Sequence, residues 1–463
     1  MLTKFFIDRD AELKALEKRY KRRGFEFIPV YGRRRVGKTE LILRFIKGKK
    51  AVYFLASAAS KKENIQRFKQ AARQVIDLSS VKDDWESIFS YLKRNIDERL
   101  VIVIDEFPYL LDTEKGVSSI FQRIIDLTLQ DSNIFLILCG SSLGMMYKEV
   151  LSYKAPLYGR RTGQIHLKPL RFEHALEFFP NKSLEEVVNI YSICGGMPAY
   201  LKEFRSDKPL FSLIREKVLE KDAVLRDEVP FILRMEFRDP KTYSSILSAI
   251  ALGNKTLGKI INYCGFQNRT GIMPYIYTLE QLEYLERQVP ITEPLRSKKS
   301  LYVIKHNFFE FWFKFIMPNL SMLEQDVEAV VKSIKKDFNS YVSFKFEHVC
   351  REALFYIKPF AFTKIGKWWF KDKEIDIVAL NDQKKEILFA ECKWQSNVNA
   401  ERIVKDLAEK AKFVQWFNNE RKESFAVFAK SFKKRLNSFE GKPVYCFDLK
   451  DLEKVFKVGK RKV

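Results

Sequence analysis

Phe27-Ile28-Pro29-Val30-Tyr31-Gly32-Arg33-Arg34-Arg35-Val36-Gly37-Lys38-Thr39 decides how the rest of the chain is read. An apolar run suited to a buried strand opens straight into G-x-x-x-x-G-K-T. The apolar positions of Glu40-Leu41-Ile42-Leu43-Arg44-Phe45-Ile46 then continue as a helix. Glycines let successive backbone N–H groups turn inward on a phosphate chain, and the helix N-terminus adds its dipole. Lys38 is expected to reach the terminal phosphates, and Thr39 to offer its hydroxyl to Mg²⁺. The stretch from Gly32 through Arg33, Arg34, Arg35, Val36 and Gly37 to Lys38, Thr39 and Glu40 is therefore the expected cradle of a nucleoside triphosphate.

A second motif lies downstream. Leu100-Val101-Ile102-Val103-Ile104-Asp105-Glu106-Phe107 is continuously apolar up to two carboxylates, as in a strand buried on both faces of a parallel sheet. Asp105 is expected to join Thr39 in the Mg²⁺ shell, and Glu106 to polarise the attacking water. With Lys38 they form a candidate hydrolytic set. A third buried run, Ile134 to Ser142, ends in small polar residues, where a hydroxyl is placed to sense the last phosphate.

Composition bounds the remainder. A chain of 463 residues is too long for one core, and 46% hydrophobic residues are ample for several. No run of eighteen apolar residues occurs, so no membrane span is expected. Acids come too early at the start for a signal peptide. The six cysteines are scattered without C-x-x-C spacing, which reads as reduced structural thiols in a cytoplasmic protein. Net charge is +24, and it is not spread evenly. Residues 1–50 hold 16 basic against 6 acidic side chains, and residues 401–463 hold 17 against 9. Two concentrated basic zones favour a polyanionic partner, DNA, over an anionic membrane.

The fold expected is α/β, in four parts. Strand candidates at 26–31, 51–56, 100–105, 134–139 and 164–168 alternate with helices, giving a parallel-sheet core over 1–168. Helical patterns follow over 169–238. Residues 239–306 read as three short helices and a β-hairpin with Arg296-Ser297-Lys298-Lys299-Ser300 at its tip, the order of a winged helix. Its third helix, read from Met273, holds Glu280, Glu283 and Glu286, which suits a polyanion poorly. Spacer and DNA reader both stand as readings of this part.

The last part, 307–463, carries a second chemical pattern. Glu374-Ile375-Asp376-Ile377-Val378-Ala379-Leu380 and Glu386-Ile387-Leu388-Phe389-Ala390-Glu391-Cys392-Lys393-Trp394 read as a hairpin. Alternation puts Glu391 and Lys393 on one face, and Asp376 on the neighbouring strand meets Glu391. Two carboxylates and a carbonyl supply hard oxygen ligands for Mg²⁺, with Lys393 placed to orient water. Glu347, on an upstream helix, is a further metal ligand, with Glu352 the less favoured choice.

These residues resemble the archaeal ATPases of the signal-transducing STAND group, relatives of AAA+ and origin-recognition ATPases, carrying a C-terminal restriction-endonuclease-like PD-(D/E)xK domain. The resemblance implies ATP as the nucleotide, and the P-loop core, helical lid, winged helix and nuclease-like domain in that order. Its amino-terminal signature F-x-x-R-x-x-E-L falls on Phe6 to Leu13, which places Phe6 and Arg9 near the adenine. Leu157-Tyr158-Gly159-Arg160-Arg161-Thr162-Gly163 corresponds to an arginine motif, making Arg160 a candidate sensor or finger. Gly195-Gly196-Met197-Pro198 matches the lid element whose proline, Pro198, touches the base. The usual proline before the nuclease aspartate is Ile375 here.

The expected protein is thus an ATP-binding and hydrolysing switch that binds DNA, with Asp376, Glu391 and Lys393 as the candidate cleaving set. The rival is a non-cleaving, nucleotide-gated scaffold whose nuclease-like part is inactive. A finger supplied by a neighbour would require a homo-oligomer.

Overall fold

The computed structural model describes residues 6–459. The chain divides into two compact units, Met1–Leu170 with Met197–Ala199, and Arg171–Gly196 with Tyr200–Val463.

In the first unit, helix α1 (Asp10–Tyr20) precedes β1 (Glu26–Tyr31), helix α2 (Lys38–Ile46) and β2 (Ala51–Leu55). Strands β3 (Leu100–Asp105), β4 (Ile134–Gly140) and β5 (Ile165–His166) complete a parallel sheet ordered β2-β3-β4-β1-β5. Every residue of β3 and β4 is buried, because helices cover both faces. Phe68 packs edge to face on Trp85 and Phe89 edge to face on Phe121 beneath the sheet. The strand expected over 164–168 shrinks to two residues. The reason lies in β1, where Phe27 N donates toward Thr162 on this side of the strand. Pro29, two residues on, faces the same side with no N–H to donate, so no ladder forms there.

In the second unit, after the short helix Phe172–Ala175, helix Leu184–Cys194 is started by a capping box between Ser183 and Glu186. Helices Pro240–Ala251, Leu257–Cys264 and Arg269–Gln281 lead into an antiparallel ribbon of β6 (Leu285–Gln288) and β7 (Leu301–Ile304). The 31-residue helix Val327–Ile357 then lies before a mixed sheet. Strands β8 (Lys364–Phe370), β9 (Lys373–Asn381) and β10 (Glu386–Lys393) run as an antiparallel meander. Short β11 (Val398–Asn399) and helix Ala400–Ala411 follow, and β12 (Lys422–Ala429) returns parallel to β10. Strands β13 (Phe432–Lys434), β14 (Ser438–Phe439) and β15 (Lys442–Phe447) finish the chain's β-structure, β13 pairing with β11. The larger sheet is ordered β14-β15-β12-β10-β9-β8. Val404 and Leu407 of helix Ala400–Ala411 bury against Ile387, Phe389 and Val427. Among the described residues no helix is long and apolar enough to cross a membrane.

Candidate functional site

The loop between β1 and α2 depends on glycine for two separate reasons. Gly32, at φ +156°, lies so close to β5 that an added Cβ would sit 2.3 Å from Leu167 O. Gly37 caps α2 at φ +97°, a left-handed conformation that other residues resist. Between them the loop folds over the Lys38 side chain, which is 6% exposed. Its ammonium donates to Gly32 O and Arg33 O, each at 3.0 Å. Burial pulls Lys38 below its ordinary pKa, against the pull of Glu106 and Asp105. A cation satisfied only by two carbonyls of its own loop suits an incoming phosphate, which offers it full negative charge.

Asp105 ends β3 and is 1% exposed. Its Oδ2 accepts from Thr39 Oγ1 at 2.9 Å and from Tyr53 OH at 2.7 Å, while Oδ1 accepts from Glu106 N at 2.9 Å. The Thr39 hydroxyl and the Asp105 carboxylate thus meet as a hard-oxygen pair of the type that holds Mg²⁺. Tyr53, from the neighbouring β2, is a site residue that sequence reasoning missed. Its only signal was an alternating position in the adjacent strand. Burial and the Asp105 charge both push its phenol pKa upward.

Glu106 adopts φ +53°, rare outside glycine and asparagine. Its carboxylate accepts from Ser141 Oγ at 2.7 and 2.8 Å and from Ser141 N at 3.3 Å. The strained backbone and the Ser141 clamp together aim this carboxylate at the end of the sheet. Ser141 thus donates to Glu106, and Ser142 caps the next helix by accepting from Met145 N.

The outlying candidates are placed as follows. Arg9 is buried and donates to Val36 O at 3.3 Å and Lys168 O at 2.8 Å, tying the start of α1 to the loop. The Phe6 ring carries the Arg44 guanidinium 4.3 Å from its centre, and Arg44 also bonds Glu40 at 2.9 Å. Arg33 is buried, Arg34 half-buried and Arg35 exposed at φ +67°, while Val36 is buried. Pro198 begins helix Pro198–Glu203, and Met197–Ala199 belongs to the first unit. Arg160 is held elsewhere, donating to Asp126 at 2.8 and 3.0 Å and to Pro156 O at 3.1 Å. Any contact with nucleotide would have to break that ion pair.

In the second unit the carboxylates regroup. The oxygens of Glu347, Glu374 and Asp376 lie within 4.8 Å of one another. Asp376 Oδ2 accepts from Cys392 N at 2.8 Å. Burial, then the charges of Glu347 and Glu391, raise the Asp376 carboxyl to about 7. Glu391, expected as the metal partner of Asp376, is instead held by Lys393 at 2.7 Å and by Lys410 at 3.1 Å. Its place in the oxygen cluster is taken by Glu374. Glu374 precedes Asp376 by two on β9 and so shares its face, while Glu391 pairs with Lys393 and Lys410 and still acts on Asp376 through its charge. Lys367 bridges the cluster, donating to Glu347 at 2.9 Å and ion-pairing with Glu374. A register shift between Gly366 and Trp368 in β8 re-aims it.

Glu352 has a different task. It accepts from Phe172 N at 2.9 Å and lies 3.3 Å from the His348 ring. Burial lifts its carboxyl from 4.5 to about 7, opposed by Arg171 and Arg351 and reinforced by Glu173. Below pH 4.5 the acid is neutral whether folded or unfolded, so its contribution is intact. As pH rises toward 7 the folded state holds a proton that the unfolded state has lost, and stability drains away. That loss is on the order of 3 kcal/mol from this group alone. Glu352→Gln is expected to flatten the slope of the urea midpoint against pH between 4.5 and 7.

Residues 6–204 match the family described as an ATPase domain predominantly from Archaea. Residues 312–403 match one described as archaeal and bacterial proteins of unknown function. An uncharacterised protein of Methanocaldococcus jannaschii, MJECL04, is 42% identical over 454 residues, covering 96% of this chain and 99% of its own. Among solved structures, the Walker-type ATPase PABY2304 of Pyrococcus abyssi aligns at 18% identity and TM-score 0.49, over 67% of this chain and 96% of its own. The ORC2 protein of Aeropyrum pernix, solved in ADPNP–ADP complexes, aligns at 12% identity and TM-score 0.45, over 72% of this chain and 98% of its own.

Proposed function

This chain belongs to the family of MJECL04, archaeal proteins built on a P-loop ATPase domain, and from that premise we propose an ATP-driven switch that acts on DNA. The observation that carries the reading is the meeting of Thr39 and Asp105 at 2.9 Å beside the buried Lys38. Lys38 and the amides from Gly32 to Thr39 would hold the phosphates. Thr39 and Asp105 would hold Mg²⁺, whose contribution is charge neutralisation on the phosphate oxygens. Glu106, fixed by Ser141, orients water for attack. Phe6, Arg9 and Pro198 are proposed to face the base, and Arg160 to serve a neighbouring copy's site after leaving Asp126. The protein is proposed to work in the cytoplasm as a homo-oligomer.

The domain reading is a proposal of the same kind: core over 1–168, lid over 169–238, winged helix over 239–306 and nuclease-like domain over 307–463. Its support in the last part is topological. A long helix, an antiparallel meander, a second helix and a strand parallel to β10 occur in that order, with acids at the ends of apolar strands. Asp376, Glu374 and Glu347 would bind Mg²⁺, and Lys393, carried beside Glu391, would approach the scissile phosphate. Incubating supercoiled plasmid with Mg²⁺ and following nicked circles tests this. Asp376→Asn is expected to lower nicking by more than the roughly tenfold to hundredfold that loss of a ligand's supporting partner costs, while ATP turnover stays unchanged. Wild-type protein that never nicks DNA would remove the cleavage role. The rival scaffold reading draws on one observation, that Lys367 already pairs with Glu347 and Glu374 of this cluster, while Lys393 and Lys410 pair with the neighbouring Glu391. It expects no nicking and ATP turnover that ignores DNA.

A further inference from the structure

Three stretches of the second unit enclose a cleft of about 940 Å³: Thr256–Gly258, the loop Arg296–Tyr302 leading into β7, and the β8–β9 turn Trp369–Glu374. Seven basic side chains line it against two carboxylates, Asp372 and Glu374. We propose that this cleft binds a single-stranded segment of nucleic acid, stacking a base on Phe370 and pairing its phosphates with Arg296, Lys298 and Lys371. The proposal names the form of substrate within the DNA-directed reading and rests on that reading for the polymer's identity.

The loop is built rather than loose. Arg287 of β6 donates to Leu295 O and Ser297 O, each at 2.5 Å. Ser297 Oγ and Lys299 Nζ both bond Glu293, at 3.2 and 2.6 Å. These internal bonds fix the loop's course and leave Arg296 and Lys298 exposed. Across the cleft the Phe370 ring is 37% exposed, with Lys299 5.6 Å and Lys371 5.5 Å from its centre. A partly exposed aromatic ring with two ammonium groups over it can bind single strands without reading sequence: the lysines swing to the backbone and the ring takes a base. A paired base inside a duplex has both faces covered by its neighbours and cannot use such a ring.

The charge distribution separates this surface from groove reading. Helix Arg269–Gln281, which the element order would send into a major groove, ends in Glu280 with Glu283 and Glu286 following. Positive charge is concentrated instead on the loop and turn. The cleft also has a chemical end point. Glu374 lines it and belongs to the oxygen cluster with Glu347 and Asp376, so a strand lying there brings a phosphodiester beside those carboxylates.

Fluorescence anisotropy of the full chain in EDTA, with a labelled thymidine 15-mer and a matched duplex, tests the proposal. The single strand is expected to bind more tightly. Phe370→Ala is expected to weaken it about tenfold and leave the duplex unaffected. Arg296→Glu combined with Lys371→Glu is expected to lower the slope of log affinity against log salt by about 1.4, two phosphate contacts' worth. Unchanged thermal melting and far-UV circular dichroism of each variant establish folding. Equal affinity for duplex, no response to Phe370→Ala, or equal displacement by poly-glutamate would overturn the proposal. If binding behaves as expected but wild type never nicks DNA, the cleavage role falls and the cleft stands. If nicking persists without these effects, the cleft alone falls.

Discussion

Lys38→Ala is expected to lower ATP turnover by about 10²- to 10³-fold, the scale of removing one preorganised electrostatic contact from a transition state. The ammonium is the principal positive charge buried within the loop, and burial makes it stronger there than in water. Removing it also frees the carbonyls of Gly32 and Arg33, which costs about 1 kcal/mol of stability per lost bond and leaves the fold intact. Lys38→Arg is not expected to rescue, because a planar fork cannot replace a point charge in so enclosed a place. Phosphate release and thermal melting, measured together, separate a chemical loss from an unfolding one. Turnover that survives Lys38→Ala would sink the phosphate-loop assignment.

Glu106→Gln should separate binding from hydrolysis. The amide keeps an oxygen for Ser141 Oγ, and Glu106 N still donates to Asp105, so the local geometry stays as it is. What disappears is the capacity to draw a proton from water, worth roughly 10²- to 10⁴-fold in rate. Calorimetric affinity for ATP is expected to change little while turnover collapses. The φ of +53° sharpens the comparison. Glu106→Gly relieves the backbone yet also removes the carboxylate, so its turnover should be no better than that of the glutamine variant. A glycine variant that hydrolyses ATP at the wild-type rate would show that the carboxylate is not used.

The legible parts of this chain were those where local pattern and tertiary role coincide. Strands β3 and β4 announce themselves because burial on both faces demands unbroken apolar runs, and the loop after β1 because phosphate geometry demands its glycines. The acids of the C-terminal hairpin were also visible, since charge at the end of an apolar strand is conspicuous. Their partners were not. That Glu391 pairs with Lys410, 19 residues beyond it, while Glu374 joins Asp376 beside a bulge in β8, is something no periodicity reports. Tyr53 escaped for the same reason, because its hydroxyl matters only once β2 lies beside β3. Ser141 was noticed as a hydroxyl in the right place, but its bond to Glu106 was not, since the turned-back Glu106 backbone cannot be read from composition.

The way Lys38 rests on Gly32 and Arg33 has a thermodynamic corollary. A loop that already holds its own lysine through two carbonyls must give up those bonds to any anion that takes the ammonium. Every measured dissociation constant is then a difference between two satisfied arrangements. Chemical intuition about a naked ammonium greeting a phosphate would therefore overstate the affinity.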